Sequence, residues 1–224
     1  MVKAVIFDMD GVLIDSVELG LHIRKNLLTQ YNINLDKVPD PQGEAHRAAS
    51  TKSLLESVKK HYGIHIDIDE FAKLARDKTH QYLQEQGLSA DRGLVLFLEE
   101  LRQHHIICAI VSSGLHEGLD NKLNVLGIRK YFSVIVSGSD VKEHKPSPEP
   151  YLYAIKKLGL SPRNCVVIED SLTGVQAGQS AGCKVIGFTQ YNNSEEPLIG
   201  VVATIKNWDE IDYDKLEHLL VNTI

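Results

Sequence analysis

Phe7-Asp8-Met9-Asp10-Gly11-Val12 sets two acids two residues apart, directly after a short apolar run. On an extended chain such side chains share a face, and Gly11 permits a sharp turn just beyond them. Much later, Glu169-Asp170 places two more acids at the end of another apolar run. Like unit charges about 4 Å apart repel by ~4 kcal/mol even at an effective dielectric of about 20, so three or four convergent carboxylates need a divalent cation. Oxygen donors without His or Cys point to Mg2+. Ser112-Ser113-Gly114 and Lys145 add hydroxyls, backbone donors and an ammonium. With a cation these make an anion pocket whose best occupant is a phosphoryl group. A carboxylate there can act as nucleophile and split hydrolysis into two steps, while a second carboxyl protonates the leaving oxygen and later deprotonates water. The expected partner is a small-molecule phosphate monoester.

The chain has 224 residues, enough for one large domain or two modest ones, and with 43% apolar and 24% charged residues it reads as globular. A formal net charge of -6 argues against nucleic-acid and membrane partners. No stretch approaches the about 18 apolar residues of a membrane span, and the run from Met1 to Phe7 is too short for a signal peptide. Cys108, Cys165 and Cys183 fit no zinc or disulfide spacing, and each lies in or beside an apolar run. Buried, reduced thiols and a cytoplasmic location are therefore expected. Nothing argues for an obligate dimer, so a monomer is expected.

To converge, these groups need a scaffold that delivers them to one edge. Short apolar runs at Lys3 to Phe7, Ile106 to Val111, Val134 to Val136, Cys165 to Ile168 and Lys184 to Phe188 read as central strands, with another strand at Val201 to Ile205. Near-continuous Val and Ile is what a parallel sheet covered on both faces requires. Helical patterns at Gly93 to Gln103, Leu115 to Leu126, Pro148 to Leu158 and Ser171 to Ala181 alternate with them. The expectation is an α/β fold, a doubly wound, Rossmann-like parallel sheet with ligands at the carboxyl ends of its strands. The rhythm breaks once, after the first strand, where helical patterns at Val17 to Tyr31, Ala45 to Tyr62 and Asp69 to Gln86 form an insertion. This predicts a helical cap over 16–88 and a discontinuous sheet domain from 1–15 and 89–224.

Asp8-x-Asp10-Gly-Val-Leu, a strand ending at Ser112, Lys145-Pro146 and Glu169-Asp170-Ser-x-x-Gly174 occur in the order of the four motifs of the haloacid dehalogenase superfamily, which the chain resembles. The inserted helices resemble the cap of subclass I, with its phosphoglycolate phosphatase-like and β-phosphoglucomutase-like enzymes. The resemblance implies Asp8 as nucleophile and Mg2+ ligand, and Asp10 as general acid/base that also gives its backbone carbonyl to the metal. It implies Ser112, with Ser113, as holder of the phosphoryl group and Lys145 as the charge that neutralises it. It assigns Glu169 and Asp170 to the metal. Asp at position 10 favours phosphoryl transfer over dehalogenation.

Taken singly, each piece has a plainer reading. Asp-x-Asp-Gly suits any turn, Ser112 could cap the following helix, Lys145 could be a solvated lysine, and Glu169-Asp170 suits a helix N-terminus. Their ordered coincidence favours the site. The mutase branch carries a histidine where this chain has Gly20, and His22 is about 200° further round a helix. Polar and basic residues for a second phosphate are replaced by Gly114-Leu115-His116. The expectation is a Mg2+-dependent phosphatase acting through an aspartyl-phosphate. A sugar-phosphate mutase and a non-catalytic phosphate-binding protein are the alternatives. In the cap, His46 and Arg47 are candidate substrate contacts, together with Lys52.

Overall fold

β1 (Ala4–Phe7) lies near the middle of a six-stranded sheet, and none of its side chains is exposed. The other strands are β2 (Ile107–Val111), β3 (Phe132–Val136), β4 (Cys165–Glu169), β5 (Lys184–Phe188) and β6 (Ala203–Ile205). Their order is β3-β2-β1-β4-β5-β6 and every neighbouring pair is parallel. This computed structural model describes residues 2–39, 51–85, 89–191 and 197–221.

The chain forms two compact units, Met1–Ile14 with Leu88–Ile224, and Asp15–Gly87. The first holds the sheet with α4 (Arg92–Gln103), α5 (His116–Val125), α6 (Glu149–Leu158), α7 (Leu172–Ser180) and α8 (Tyr213–Val221). Alternate strand residues feed two apolar layers. Ile6, Val111, Val136, Val167 and Val185 pack with Tyr151 and Ile155 of α6 and Val175 of α7. Phe7 faces the other way, its ring 6.4 Å from Phe97 of α4, 5.7 Å from Phe132 and 6.0 Å from Trp208. Fully burying each such side chain contributes about 1.5–3 kcal/mol, so the sheet is held from both faces.

The second unit contains α1 (Ser16–Thr29), α2 (Thr51–Tyr62) and α3 (Ile68–Glu85). Ile23, Leu27 and Leu28 of α1, Leu54, Leu55 and Val58 of α2, and Phe71 of α3 meet in a core of their own. Their three- and four-residue spacing puts each set on one helix face. Among the described residues no helix is long and apolar enough to cross a membrane, and all three cysteines are buried and unpaired.

Two expectations need correction. The run ending at Val136 is not a central strand; β3 starts at Phe132 and forms one edge of the sheet. An exposed Ser133 breaks its apolar run, while Val134 and Ile135 are only half-buried, as on an edge. The last strand is shorter than expected and forms the other edge. Helix α8 was not expected; its buried Leu216 and the stacking of Tyr213 on His104, at 3.6 Å and 8°, anchor it.

Candidate active site

In strand order, β2 and β3 extend from one side of β1 while β4 to β6 extend from the other. The chain thus reverses direction between β1 and β4, where an open parallel sheet leaves a crevice at its carboxyl edge. Asp8 follows β1 there, its backbone N–H donating to Ile168 O at 2.9 Å. The chain then folds tightly, with Leu13 N donating to Met9 O at 2.9 Å and Gly11 N to Ile14 O at 2.8 Å. Gly11 has φ +90, and a Cβ on it would sit 1.9 Å from Asp170 Oδ2. Glycine is therefore needed both for the turn and for the approach of a carboxylate.

Glu169 ends β4, and a Cβ on Gly174 would fall 1.8 Å from its Oε1. The two glycines of the motifs thus open space for the two acids. The helix after them is capped by Ser171, whose hydroxyl accepts Gly174 N at 3.1 Å, so the acids are not its cap. Nor does Ser112 cap α5. Its buried Oγ accepts Gly114 N at 3.1 Å and holds the strand-end turn, while Leu115 occupies the cap position without a side-chain bond. That turn is braced by Gly138 N donating to Gly114 O at 3.0 Å and by His116 Nε2 lying 2.7 Å from Asp140 Oδ2. Ser113 is exposed on the same turn.

At the centre is Lys145, its side chain 8% exposed. Nζ donates to Asp8 Oδ1 at 2.5 Å, Glu169 Oε1 at 2.6 Å and Val111 O at 3.1 Å. Glu169 Oε1 also accepts the Tyr151 hydroxyl at 2.8 Å, and Lys145 Nζ lies 5.0 Å from the centre of that ring. Glu169 Oε2 accepts Asp170 N at 3.0 Å, Ser171 N at 3.2 Å and Ser171 Oγ at 3.1 Å. A fully buried carboxylate is tolerated here because donors surround it.

Burial would lower the Lys145 pKa, but Asp8 and Glu169 reverse that and hold the ammonium charged, well above its ordinary value. Burial raises Asp8 well above the usual carboxylate range; Lys145 opposes this, and Glu169, Asp170 and Asp10 reinforce it. Asp170 is raised to about 7 by burial and then by Glu169. Burial, followed by Glu169, pushes the Tyr151 phenol well above its ordinary value, so its hydroxyl keeps the proton it donates. Burial is the main cause for both raised carboxyls, and the neighbouring acids add to it, so a cation placed among them would favour their charged forms.

Oxygens of Asp8, Glu169 and Asp170 lie within 4.8 Å of one another, an all-oxygen donor set whose hardness and charge fit Mg2+. The Asp10 carboxylate forms an ion pair with Lys122 of α5. His46 and Arg47 lie outside the described residues, and Lys52 is exposed on α2. Tyr151 and Lys122 are the participants that sequence reasoning missed. A tyrosine on the buried face of Pro148 to Leu158 could have signalled a hydroxyl needing a partner. No spacing could have paired Lys122 with an acid 112 residues away.

The family model for haloacid dehalogenase-like hydrolases matches residues 5–188. A phosphorylated carbohydrates phosphatase of Thermotoga maritima is 30% identical over 215 residues, covering 91% of this chain and 94% of that protein. The phosphoglycolate phosphatase of Salmonella typhimurium is 29% identical over 249 residues, covering 98% of this chain and 91% of that protein. Among solved structures, CbbY from Rhodobacter sphaeroides in complex with phosphate has the same fold, with a TM-score of 0.82 at 22% identity, covering 97% of this chain and 100% of that one. The matched span runs from the first strand through β5 and takes in every motif at the carboxyl edge, and this enzyme belongs to the haloacid dehalogenase-like hydrolase family.

Proposed function

We propose that the protein is a Mg2+-dependent phosphatase that hydrolyses a small phosphorylated metabolite through an aspartyl-phosphate on Asp8. The observation that carries this reading is the buried Asp8 carboxylate, 2.5 Å from Lys145 Nζ and grouped with Glu169 and Asp170. A carboxylate kept only as a cation ligand needs no lysine bonded to it. A nucleophile facing an anionic phosphoryl group does.

In the first step an Asp8 oxygen bonds to phosphorus, the ester P–O bond breaks, and Asp10 gives a proton to the leaving oxygen. In the second, water attacks the phosphorus of the aspartyl-phosphate and passes its proton to Asp10, freeing inorganic phosphate and the Asp8 carboxylate. Ser112 and Ser113 donate to the phosphoryl oxygens, and Lys145 balances their charge. Oxygens of Asp8 and Asp170 and the Asp10 backbone carbonyl would hold Mg2+, with Glu169 positioning the site through its own donors, and the ion when bound supplies positive charge to the phosphoryl oxygens. The helical insertion is read as the cap, with His46 and Arg47 as its candidate substrate contacts. Similarity to phosphatases acting on phosphorylated carbohydrates and phosphoglycolate supports a substrate of that size. Buried, unpaired cysteines support a cytoplasmic setting, and a monomer is the proposed working form.

Hydrolysis is preferred to mutase chemistry. Gly20 offers no side chain, and His22 is engaged with Asn26 at 3.0 Å. Phosphate release from a panel of sugar phosphates, phosphoglycolate and p-nitrophenyl phosphate, with Mg2+ or EDTA, tests the reading. Mg2+-dependent release by wild type and none by Asp8→Asn supports it. No release from any ester, or sugar-phosphate isomerisation exceeding hydrolysis when a bisphosphate primer is supplied, overturns it.

A further inference from the structure

We propose that Lys122 is a positioning residue for Asp10, fixing the side chain that exchanges protons with the leaving group and with water. The inference rests on the acid/base reading of Asp10 given above. Each acid of the Asp8-x-Asp10 motif has its own lysine, brought from a different element. Lys145 grips Asp8 from the loop before α6, and Lys122 grips Asp10 Oδ1 from the second turn of α5. Lys122 belongs to none of the strand-end motifs.

The backbone around Asp10 is already fixed by the bonds of residues 9–14, including an isolated bridge between Asp10 and Ile14. What remains is the rotation of a short side chain, and the ion pair removes it. The Lys122 side chain is 18% exposed and that of Asp10 35%, so the pair is half-buried. A half-buried pair contributes to stability as well, so the melting curve of each variant is what separates positioning from folding. Proton transfer needs the carboxyl within about 2.6–3.2 Å of the reacting oxygen. Helix α5 leads directly from the Ser112–Gly114 turn, and buried Leu119 and Leu123 flank Lys122 to fix the helix. A Cβ on Gly114 would lie 3.1 Å from Leu119 Cδ2, so turn and helix are in close register. Lys122 therefore links the turn that receives the phosphoryl group to the acid that serves its leaving oxygen.

The test compares full-length wild type, Lys122→Met, Lys122→Arg, Lys122→Gln, Asp10→Asn and the Asp10→Asn/Lys122→Met double variant, with melting curves for each. Substrates are p-nitrophenyl phosphate and an alkyl monoester that wild type hydrolyses. Since misplacement by about 1 Å can cost about 100-fold, Lys122→Met should lower kcat on the alkyl ester by about 10- to 100-fold and leave KM within about twofold. The loss should be smaller for p-nitrophenolate, which departs without a proton. Lys122→Arg should recover most of kcat, and the double variant should be no slower than Asp10→Asn. Wild-type kcat in folded Lys122→Met, or in Lys122→Gln should the former not fold, overturns the proposal. So does an equal loss from Lys122→Met in the wild-type and Asp10→Asn backgrounds. If Asp10→Asn itself retains full activity, the acid/base reading falls and takes this role with it. If Asp10→Asn is inactive while Lys122→Met is unimpaired, only the role of Lys122 falls.

Discussion

Asp170 Oδ2 stands 1.9 Å from the point where a side chain on Gly11 would begin, so the carboxylate just after β4 occupies the space left open by the turn after β1. A methyl group there must displace Asp170, and the φ of +90 at Gly11 disfavours any L side chain. Gly11→Ala should lower the melting temperature and weaken Mg2+ binding together. Calorimetric titration with Mg2+ checks this; wild-type affinity in the variant would show that Asp170 can be moved without consequence.

Tyr151→Phe keeps the ring beside Lys145 and removes only the hydroxyl bonded to Glu169 Oε1. Loss of a hydrogen bond to a buried charge should cost about 1.5–3 kcal/mol in denaturant unfolding. Tyr151→Leu should cost more, because it also removes the ring and leaves a cavity. Equal stabilities for the two variants would contradict this account.

Lys145→Met leaves Asp8 and Glu169 without the ammonium both share. Removing one partner from a buried ion pair costs about 3–5 kcal/mol, so the metal-free variant should be strongly destabilised near neutral pH. The deficit should shrink on acidification, since a protonated carboxyl needs no counter-charge. Urea unfolding in EDTA at several pH values measures it, and a deficit independent of pH would refute the electrostatic cause.

Asp170 has a pKa raised from 3.8 to about 7, by burial first and Glu169 next. A carboxyl raised on folding stabilises the folded state fully below its unfolded pKa, and that contribution is lost as pH rises through the folded value. Metal-free protein should therefore lose stability between about pH 4 and 7, and Asp170→Asn should lose less. Mg2+ must displace the proton, so its apparent affinity should fall as pH drops below 7. Melting curves with EDTA and with Mg2+ across this range test both; a shift by Mg2+ that grows on acidification would have the wrong sign.

Much of this arrangement is legible in the sequence because the strands announce themselves. β1, β2, β4 and β5 are nearly continuous apolar runs, and chemistry-bearing residues follow three of them directly. Strand order is a tertiary property, so the edge position of β3 could not be read from its Val and Ile. Helix α8 is only nine residues long and interleaves charges with its apolar positions. The long-range bonds of Tyr151 and Lys122 depend on where two helices dock, and no local pattern encodes that.

Trapping of an acyl phosphate tests the central claim most directly. Enzyme turning over p-nitrophenyl phosphate with Mg2+ is acid-quenched, reduced with borohydride and mapped by peptide mass spectrometry. Aspartyl-phosphate chemistry predicts that Asp8 alone is reduced to homoserine, and that Asp8→Asn gives neither the adduct nor phosphate release. Turnover by Asp8→Asn at the wild-type rate, or an adduct on another residue, would contradict it.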